Sequence, residues 1–415
     1  MDSCQKNLLA FSCLKRFILV LVMLVLQRNC DLLVAGGDTL FIGASLRGKQ
    51  TISSKSRKVI WSSNDTQQAK ASRALILDTG NFVLLGAQNT SETVWESFAH
   101  ATDHFMPTMK FWKGMKVNSW KSSVDPAPGP FFFQMNPSPG EKDFLLEYKN
   151  GVSYYSSGNW TGKYYSNVPQ AVSDTSFEQE LVEFSPTRLY YTYNFTPKVR
   201  STALVRYVLN FKGELRFYYL SNNTWSLVYN FPLSNCAVYG LCGAYGVCFT
   251  QENIQSCSCM EGFYPRNATA WSSQEWWSSG CIRRTPLDCS AINVSASGTT
   301  DDFLQVSNIS LSDKEAVQYT QESTVEGCKT ACLDNCSCTA FAFTDSNSVV
   351  CKLWFGDLLG IQAKDTSSED QPLFIRLAAS DVSQLSAHAG RSSSRVVVLS
   401  ISIPMGVAVL GTLFM

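Results

Sequence analysis

The sequence predicts a mainly β, multidomain fold, and three observations carry that expectation. The first is cysteine placement. None of the chain's 15 cysteines lies between Cys30 and Cys236, and then twelve follow: Cys236, Cys242, Cys248, Cys257, Cys259, Cys281, Cys289, Cys328, Cys332, Cys336, Cys338 and Cys351. A dense, even set at short spacings reads as small modules held by disulfides, which persist in an oxidising compartment. The second is composition. Charged residues make up only 16% and aromatics 12%, which suits pleated surfaces where aromatic and β-branched side chains pack. The third is punctuation. Short apolar runs alternate with Gly, Asn and Pro breaks over residues 131–229, the pattern of an antiparallel meander.

The ends of the chain agree with an extracellular setting. Lys6, Lys15 and Arg16 precede the apolar run Phe17–Leu26. That is a secretory signal, placed at 1–35, with Val34-Ala35-Gly36 as the best cleavage point. Val396–Met415 is twenty residues without a charge, enough to cross ~30 Å of hydrocarbon. It reads as a transmembrane segment of a longer receptor, as a span that ends the chain, or as a removable GPI signal with small residues near Ser386-Ala387. The polar stretch 379–395 reads as a stalk. Lys+Arg and Asp+Glu balance at 34 each, so there is no basic stripe for nucleic acid. Nine Asn-x-Ser/Thr sequons imply a glycosylated surface: Asn64, Asn89, Asn159, Asn194, Asn222, Asn267, Asn293, Asn308 and Asn335.

Within the chain, Leu75–Leu85 places two apolar runs around Asp78-Thr79-Gly80-Asn81, which predicts a hairpin. The segment resembles one repeat of a bulb-type, mannose-binding lectin. That family's sugar strand reads Gln-x-Asp-x-Asn-x-Val-x-Tyr. Here only Asn81 and Val83 match, with Leu77, Thr79 and Leu85 at the other positions. They are a carbohydrate-binding remnant in a lectin domain expected to be shortened and structural, since residues 37–59 leave room for little more than one further strand pair. His100 and His104 stand four apart, the spacing of a zinc pair on a helix, but without a third ligand. Asp125-Pro126-Ala127-Pro128-Gly129 reads as a turn-rich linker.

Further strands are expected at Phe144–Tyr148, Leu189–Phe195, Ala203–Asn210 and Leu215–Leu220. Ser323-Thr324-Val325-Glu326 is a capping box that opens a short helix carrying Cys328 and Cys332 on one face. Thr339–Phe343 and Val350–Trp354 read as strands beside it. Cys257-Ser258-Cys259 followed by Gly262-Phe263 resembles an EGF-like module, and the helix with its small sheet resembles a PAN/apple domain. The first resemblance implies bridges Cys236–Cys248, Cys242–Cys257 and Cys259–Cys281. The second implies Cys328–Cys351 and Cys332–Cys338, which leaves Cys289 and Cys336 to bridge.

The ordered motifs WESFAHATD, SWKSSVDPAPG, YYSSGNWTG, CAVYGLCGAYGVC, GCIRRTPLDC, CKTACLDNCSCTAFAF, LWFGDLLG and LFIRLAAS resemble the ectodomain of plant S-locus glycoproteins and S-domain (G-type lectin) receptor-like serine/threonine kinases. The likeness covers about Leu75 to Ser380. It implies a truncated bulb-type lectin domain at 36–115, an S-locus glycoprotein domain at 130–231, an EGF-like module at 232–281 and a PAN/apple α+β domain at 289–378. It also implies a plasma-membrane recognition glycoprotein, as in pollen recognition or defence. Such a protein would bind an extracellular peptide or protein, or a co-receptor, and would form homodimers or heterodimers with S-domain receptor kinases. The expected chain has no kinase, no catalytic site, no metal and no cofactor. Carbohydrate binding is the rival reading, and a truncated product of a receptor kinase another. Gly43–Gln50 comes within one residue of a phosphate-binding loop, but Gln50 stands where Ser or Thr must bind Mg²⁺. No kinase signature and no Gly-x-Ser-x-Gly elbow occurs.

Overall fold

Strands dominate because the chain alternates side-chain character at period two, and the turns between carry residues that tolerate sharp backbone bends. The computed structural model describes residues 41–44, 50–53, 59–62, 71–86, 92–123, 125–149, 151–168, 177–196, 204–221, 224–251, 254–272, 277–288, 301–311, 317–320, 324–344, 350–364 and 372–389. The expected signal (1–35), the apolar segment 396–415, Asn64, Asn89, Asn222, Asn293, Cys289 and Ser323 lie outside the described residues. Among the described residues, no helix is long and apolar enough to cross a membrane.

The described residues begin with two three-stranded antiparallel sheets. Strands β1 (Phe41–Ala44), β2 (Gln50–Ser53) and β3 (Val59–Ser62) form the first. Strands β4 (Ala71–Ile76), β5 (Phe82–Gly86) and β6 (Thr93–Glu96) form the second. Within residues 37–59 the first sheet supplies the one strand pair expected, β1 and β2, and β3 completes it from Val59 onward. Gly43 pairs with Thr51 and Ala44 with Gln50. The loop resembling a phosphate binder therefore runs from strand to strand, where a phosphate loop needs a helix.

Two-residue strands β7 (His104–Phe105) and β8 (Phe111–Trp112) follow. Next come β9 (Lys116–Trp120), β10 (Pro128–Met135), β11 (Phe144–Tyr148) and β12 (Val152–Ser156), in the order β12-β11-β10-β9. The expected linker at 125–129 is instead the approach to β10. Pro128 lies opposite Trp120, and the register shifts before Phe132, where a residue without an N–H is tolerated.

Strands β13 (Phe177–Ser185) and β14 (Arg188–Phe195) pair in the order β13-β14-β8. Strands β15 (Leu204–Leu209), β16 (Leu215–Ser221) and β17 (Thr224–Phe231) pair in the order β17-β16-β15-β7. The segment boundary expected at 115 thus falls inside a set of strands that pair across it. The three sheets share one core. Phe111, Val117, Met135, Leu146, Leu189 and Leu209 are wholly buried in it.

Tyrosines penetrate this core. Tyr191 donates its hydroxyl to Gln179 Oε1 (2.9 Å) and Tyr193 to the Phe105 carbonyl (3.1 Å). Burial raises both phenols, and that of Tyr154, well above their ordinary value. The raised folded pKa leaves stability untouched below pH about 10, the unfolded value. As pH rises further the unfolded chain releases protons that the folded one retains, so stability falls. Alkaline titration should therefore show these phenols ionising together with the loss of β-sheet circular dichroism. Smooth ionisation of all 16 tyrosines with the sheets intact would contradict this.

The cysteine-rich part follows with β18 (Gly246–Gln251), β19 (Ile254–Cys259), β20 (Phe263–Pro265), α1 (Ala268–Ser272) and β21 (Cys281–Arg283). The last module contains β22 (Asp301–Val306), β23 (Ile309–Ser310), β24 (Val317–Thr320), α2 (Val325–Leu333), β25 (Cys338–Thr344) and β26 (Val350–Phe355). It closes with β27 (Ile361–Ala363), β28 (Leu373–Ala378) and α3 (Ala379–Ala389). Its main sheet has the order β22-β28-β25-β26-β24.

Strands β18 and β27 pair in parallel through Val247–Ile361 and Cys248–Gln362, in a sheet ordered β19-β18-β27-β23. The cysteine module is wedged between two cores. Cys236, Cys242, Cys248 and Cys257 belong to the upstream core, while Tyr245, Met260, Phe263 and Cys281 belong to the downstream one.

Two expectations need correction in this module. The cap of α2 is Thr324, whose side chain accepts from the Gly327 N–H. Glu326 then sits too early to reach back, so the reciprocal box does not form. The stalk expected from residue 379 begins as helix α3. Val382 is buried and Leu385, three residues on, packs against the same cluster, which gives the helix an apolar stripe to dock.

Candidate functional site

The sequence points first to Asn81. Its hairpin turn places Gly80 at φ +86°, with the Gly80 N–H donating to the Leu77 carbonyl and the Leu77 N–H to the Asn81 carbonyl. Positions 77–81 are therefore a turn and not the extended strand along which a lectin presents alternate polar side chains. Asn81 is only 7% exposed and Val83 3%. The Asn81 amide donates to Glu96 Oε2 (2.7 Å). Its carbonyl oxygen accepts from Ser97 Oγ (3.0 Å) and the Phe98 N–H (3.1 Å). Ser97 Oγ in turn accepts from the Phe82 N–H (2.9 Å).

This amide locks β5 to the end of β6, and Val83 is a core residue of β5. Neither residue is presented to a sugar, so the recognition remnant is a structural clasp. Asn81→Ala should cost about 1–3 kcal/mol, because it removes the shared acceptor of Ser97 Oγ and the half-buried Phe98 N–H, while the exposed Glu96 returns to water. The expected readout is a lower melting point without any change in glycan-array binding.

The two histidines do not converge. His100 stacks on Trp95 (5.2 Å between centroids, 8° between planes). His104 lies on β7, its Nδ1 2.7 Å from Asp103 Oδ1 and its Nε2 3.1 Å from Arg206 Nη1. Because a guanidinium only donates, Nε2 accepts and Nδ1 carries the proton. Arg206 also lies 4.2 Å over the Trp225 ring.

Disulfides join Cys236–Cys248, Cys242–Cys257, Cys259–Cys281, Cys328–Cys351 and Cys332–Cys338. These are the partners the resemblance implies. Cys336 is also oxidised, and its expected partner Cys289 is outside the described residues. The sulfurs of Cys242, Cys248 and Cys257 lie within 4.8 Å of one another, but each is held in a bridge and offers no thiolate to a metal.

Sequence reasoning missed the most committed ion pair. Arg376 of β28 and Asp301 of β22 are 3% and 4% exposed. The guanidinium donates to Asp301 Oδ2 from Nε (3.1 Å) and lies 3.0 Å from it at Nη2. Its Nη1 reaches the carbonyls of Cys332 (3.2 Å), Asn335 (3.0 Å) and Cys338 (3.4 Å), adding a charged donor to carbonyls at and just beyond the end of α2, where the helical bonding pattern runs out. Only the lone charge in Leu373–Ala378, an otherwise apolar strand, hinted at it.

Of the sequons among the described residues, Asn159, Asn267 and Asn335 are exposed, while Asn194 and Asn308 are half-buried. Asn335 accepts from Ser337 Oγ (2.6 Å) and Asn194 from the Phe195 N–H (2.9 Å).

Three family models match in sequence. They are a D-mannose binding lectin over residues 35–123, an S-locus glycoprotein domain over 155–267 and a PAN-like domain over 289–361. Among curated proteins, one G-type lectin S-receptor-like serine/threonine-protein kinase of Arabidopsis thaliana is 30% identical over 369 residues, 85% of this chain and 41% of its own length. Another from the same plant is 32% identical over 334 residues, 78% of this chain and 40% of its own. The chain spans about two fifths of the length of these relatives. A two-domain fetuin-binding lectin of Scilla campanulata aligns at 14% identity over 49% of this chain and 78% of that one, with a TM-score of 0.15, too low to bear on the fold. With its lectin, S-locus glycoprotein and PAN-like domains in that order, the chain belongs to the S-domain receptor family and corresponds to a lectin-like ectodomain of the G-type lectin S-receptor-like kinases.

Proposed function

We propose that the chain is a recognition glycoprotein of the outer plasma-membrane face, binding an extracellular peptide, protein or partner S-domain receptor. The observation that carries this reading is the succession of lectin, S-locus glycoprotein and PAN-like domains, shared over 85% of the chain with a receptor-like kinase. The oxidised cysteines support an extracellular site of action. The module at 232–281, with three bridges, is EGF-like in this reading, and the apolar segment 396–415 is its attachment to the membrane, spanning or GPI-linked. Function here is binding; phosphorylation belongs to a kinase joined in a longer product or recruited as a partner.

Sugar binding at the Asn81 strand is the weaker alternative, because that amide is consumed internally. The test is surface expression of the tagged full chain in plant cells, with protease accessibility, glycosidase shift and co-capture of a co-expressed S-domain receptor kinase. External digestion, a mass shift and co-capture are expected. A protease-protected chain with free thiols would sink the proposal.

A further inference from the structure

The face of the β13-β14-β8 sheet turned away from the core carries three aromatic rings. Val182, Tyr190 and Trp112 are cross-strand partners and so share this face. Phe184 joins them at the end of β13. Ring centroids lie 4.8 Å apart for Trp112–Tyr190, 6.2 Å for Trp112–Phe184 and 6.3 Å for Phe184–Tyr190. Residues of opposite parity, Leu189, Tyr191 and Tyr193, fill the core instead. Phe184 is 61% exposed and gains little from burial where it stands.

Two cations border the rings. Lys110 Nζ is 5.2 Å from the centroid of Tyr190, and the Arg188 guanidinium is 5.6 Å from that of Phe184. Among the described residues neither has a carboxylate within ion-pair distance. Glu183, opposite Leu189, has the core-side parity and pairs with Lys142. Further along the aromatic face the sheet offers polar groups, with Glu180 opposite Thr192 and Glu178 opposite Asn194.

We propose that this face is a docking platform for an anionic oligosaccharide, a chain of sugars that includes uronate residues. The inference rests on the reading of the chain as an extracellular recognition protein and moves sugar contact from the lectin hairpin to the S-locus glycoprotein region. A pyranose ring has one apolar side of C–H bonds whose hydrogens are made positive by the adjoining oxygens. Such a side fits the negative face of an aromatic ring. Lys110 and Arg188 supply charge for uronate carboxylates at the Phe184 end of the face, while further along Thr192 and the exposed carboxylates of Glu180 and Glu178 meet only the hydroxyls of neutral sugars in the chain. The rings and Arg188 sit on paired strands, with Lys110 one residue before β8, so the platform is largely preorganised and loses little freedom on binding.

The test uses the purified full chain carrying Asn194→Gln, so that a glycan of its own cannot occupy the face. The probes are hexagalacturonate, a neutral galactose hexamer and polyglutamate, followed by calorimetry at two salt concentrations. Hexagalacturonate should bind, weaken with salt, and lose about tenfold in affinity with Phe184→Ala, roughly one aromatic contact. Lys110→Gln with Arg188→Gln should remove the salt dependence, while Asn81→Ala should leave affinity unchanged. Unchanged affinity in both platform variants overturns the proposal. So does absent uronate binding, and polyglutamate binding in its place marks an acidic-peptide site. Any of these results would leave surface display and receptor co-capture untouched, so the two readings fail separately.

Discussion

Replacing Arg376 by methionine is expected to destabilise the C-terminal module by about 3–5 kcal/mol, the usual consequence of removing one partner from a buried ion pair. Domains are stable by only about 5–15 kcal/mol, so the secreted yield should collapse. Asp301 would lose its cation in a site where it is 4% exposed. The carbonyls of Cys332, Asn335 and Cys338 would lose the donor that gathers them. The Cys332–Cys338 bridge closes the same loop, so mispaired thiols should accompany the loss. Adding Asp301→Leu should recover much of the stability, since an apolar pair has no charge to desolvate. Urea unfolding of the single and double variants, with peptide mapping under non-reducing conditions, checks this. A single variant as stable as the parent would show that the pair contributes nothing.

The second large effect is expected where the cysteine module meets its downstream neighbour. Serine at both Cys259 and Cys281 should cost about 2–5 kcal/mol. Cys281 is wholly buried in the downstream core, and its N–H donates to the Ala244 carbonyl at 2.7 Å. Backbones cross closely at this point. A methyl group on Gly280, at φ +73°, would lie 2.5 Å from the Ala244 nitrogen, and one on Gly243 would lie 2.6 Å from the Gly280 Cα. Neither neighbour is a flexible side-chain tip, so Gly280→Ala should be destabilising in its own right. Limited trypsin digestion of the serine variant should cut at Arg266 or Arg283, inside the module that this bridge closes; equal resistance in variant and parent would count against the bridge as the module's main tie.

Local chemistry made much of this fold legible. The Asp78–Asn81 cluster places a hairpin turn, and the strand expected at Phe144–Tyr148 is β11. The Cys328/Cys332 helix is where a cap and a two-cysteine face put it. What stayed hidden depends on partners distant in sequence. Arg376 and Asp301 are 75 residues apart, and nothing in the neighbourhood of either announces the other. Strands β7 and β8 have two residues each, too short for a periodic signal, and exist because β15 and β14 offer them ladders. The stalk helix was concealed because 379–389 looks polar until Val382 and Leu385 find a surface. Asn81 was recognisable as a family position, yet its role is decided by Glu96 and Ser97 on the next strand.

The parallel ladder between β18 and β27 has a mechanical consequence. Flexible tethers usually let neighbouring domains swivel, but here the two bodies on either side are stitched through a common sheet. Bending at that seam would require rupture of main-chain bonds and exposure of both apolar interiors. A rotation imposed on the upstream core would thus be carried to the downstream one through this shared sheet.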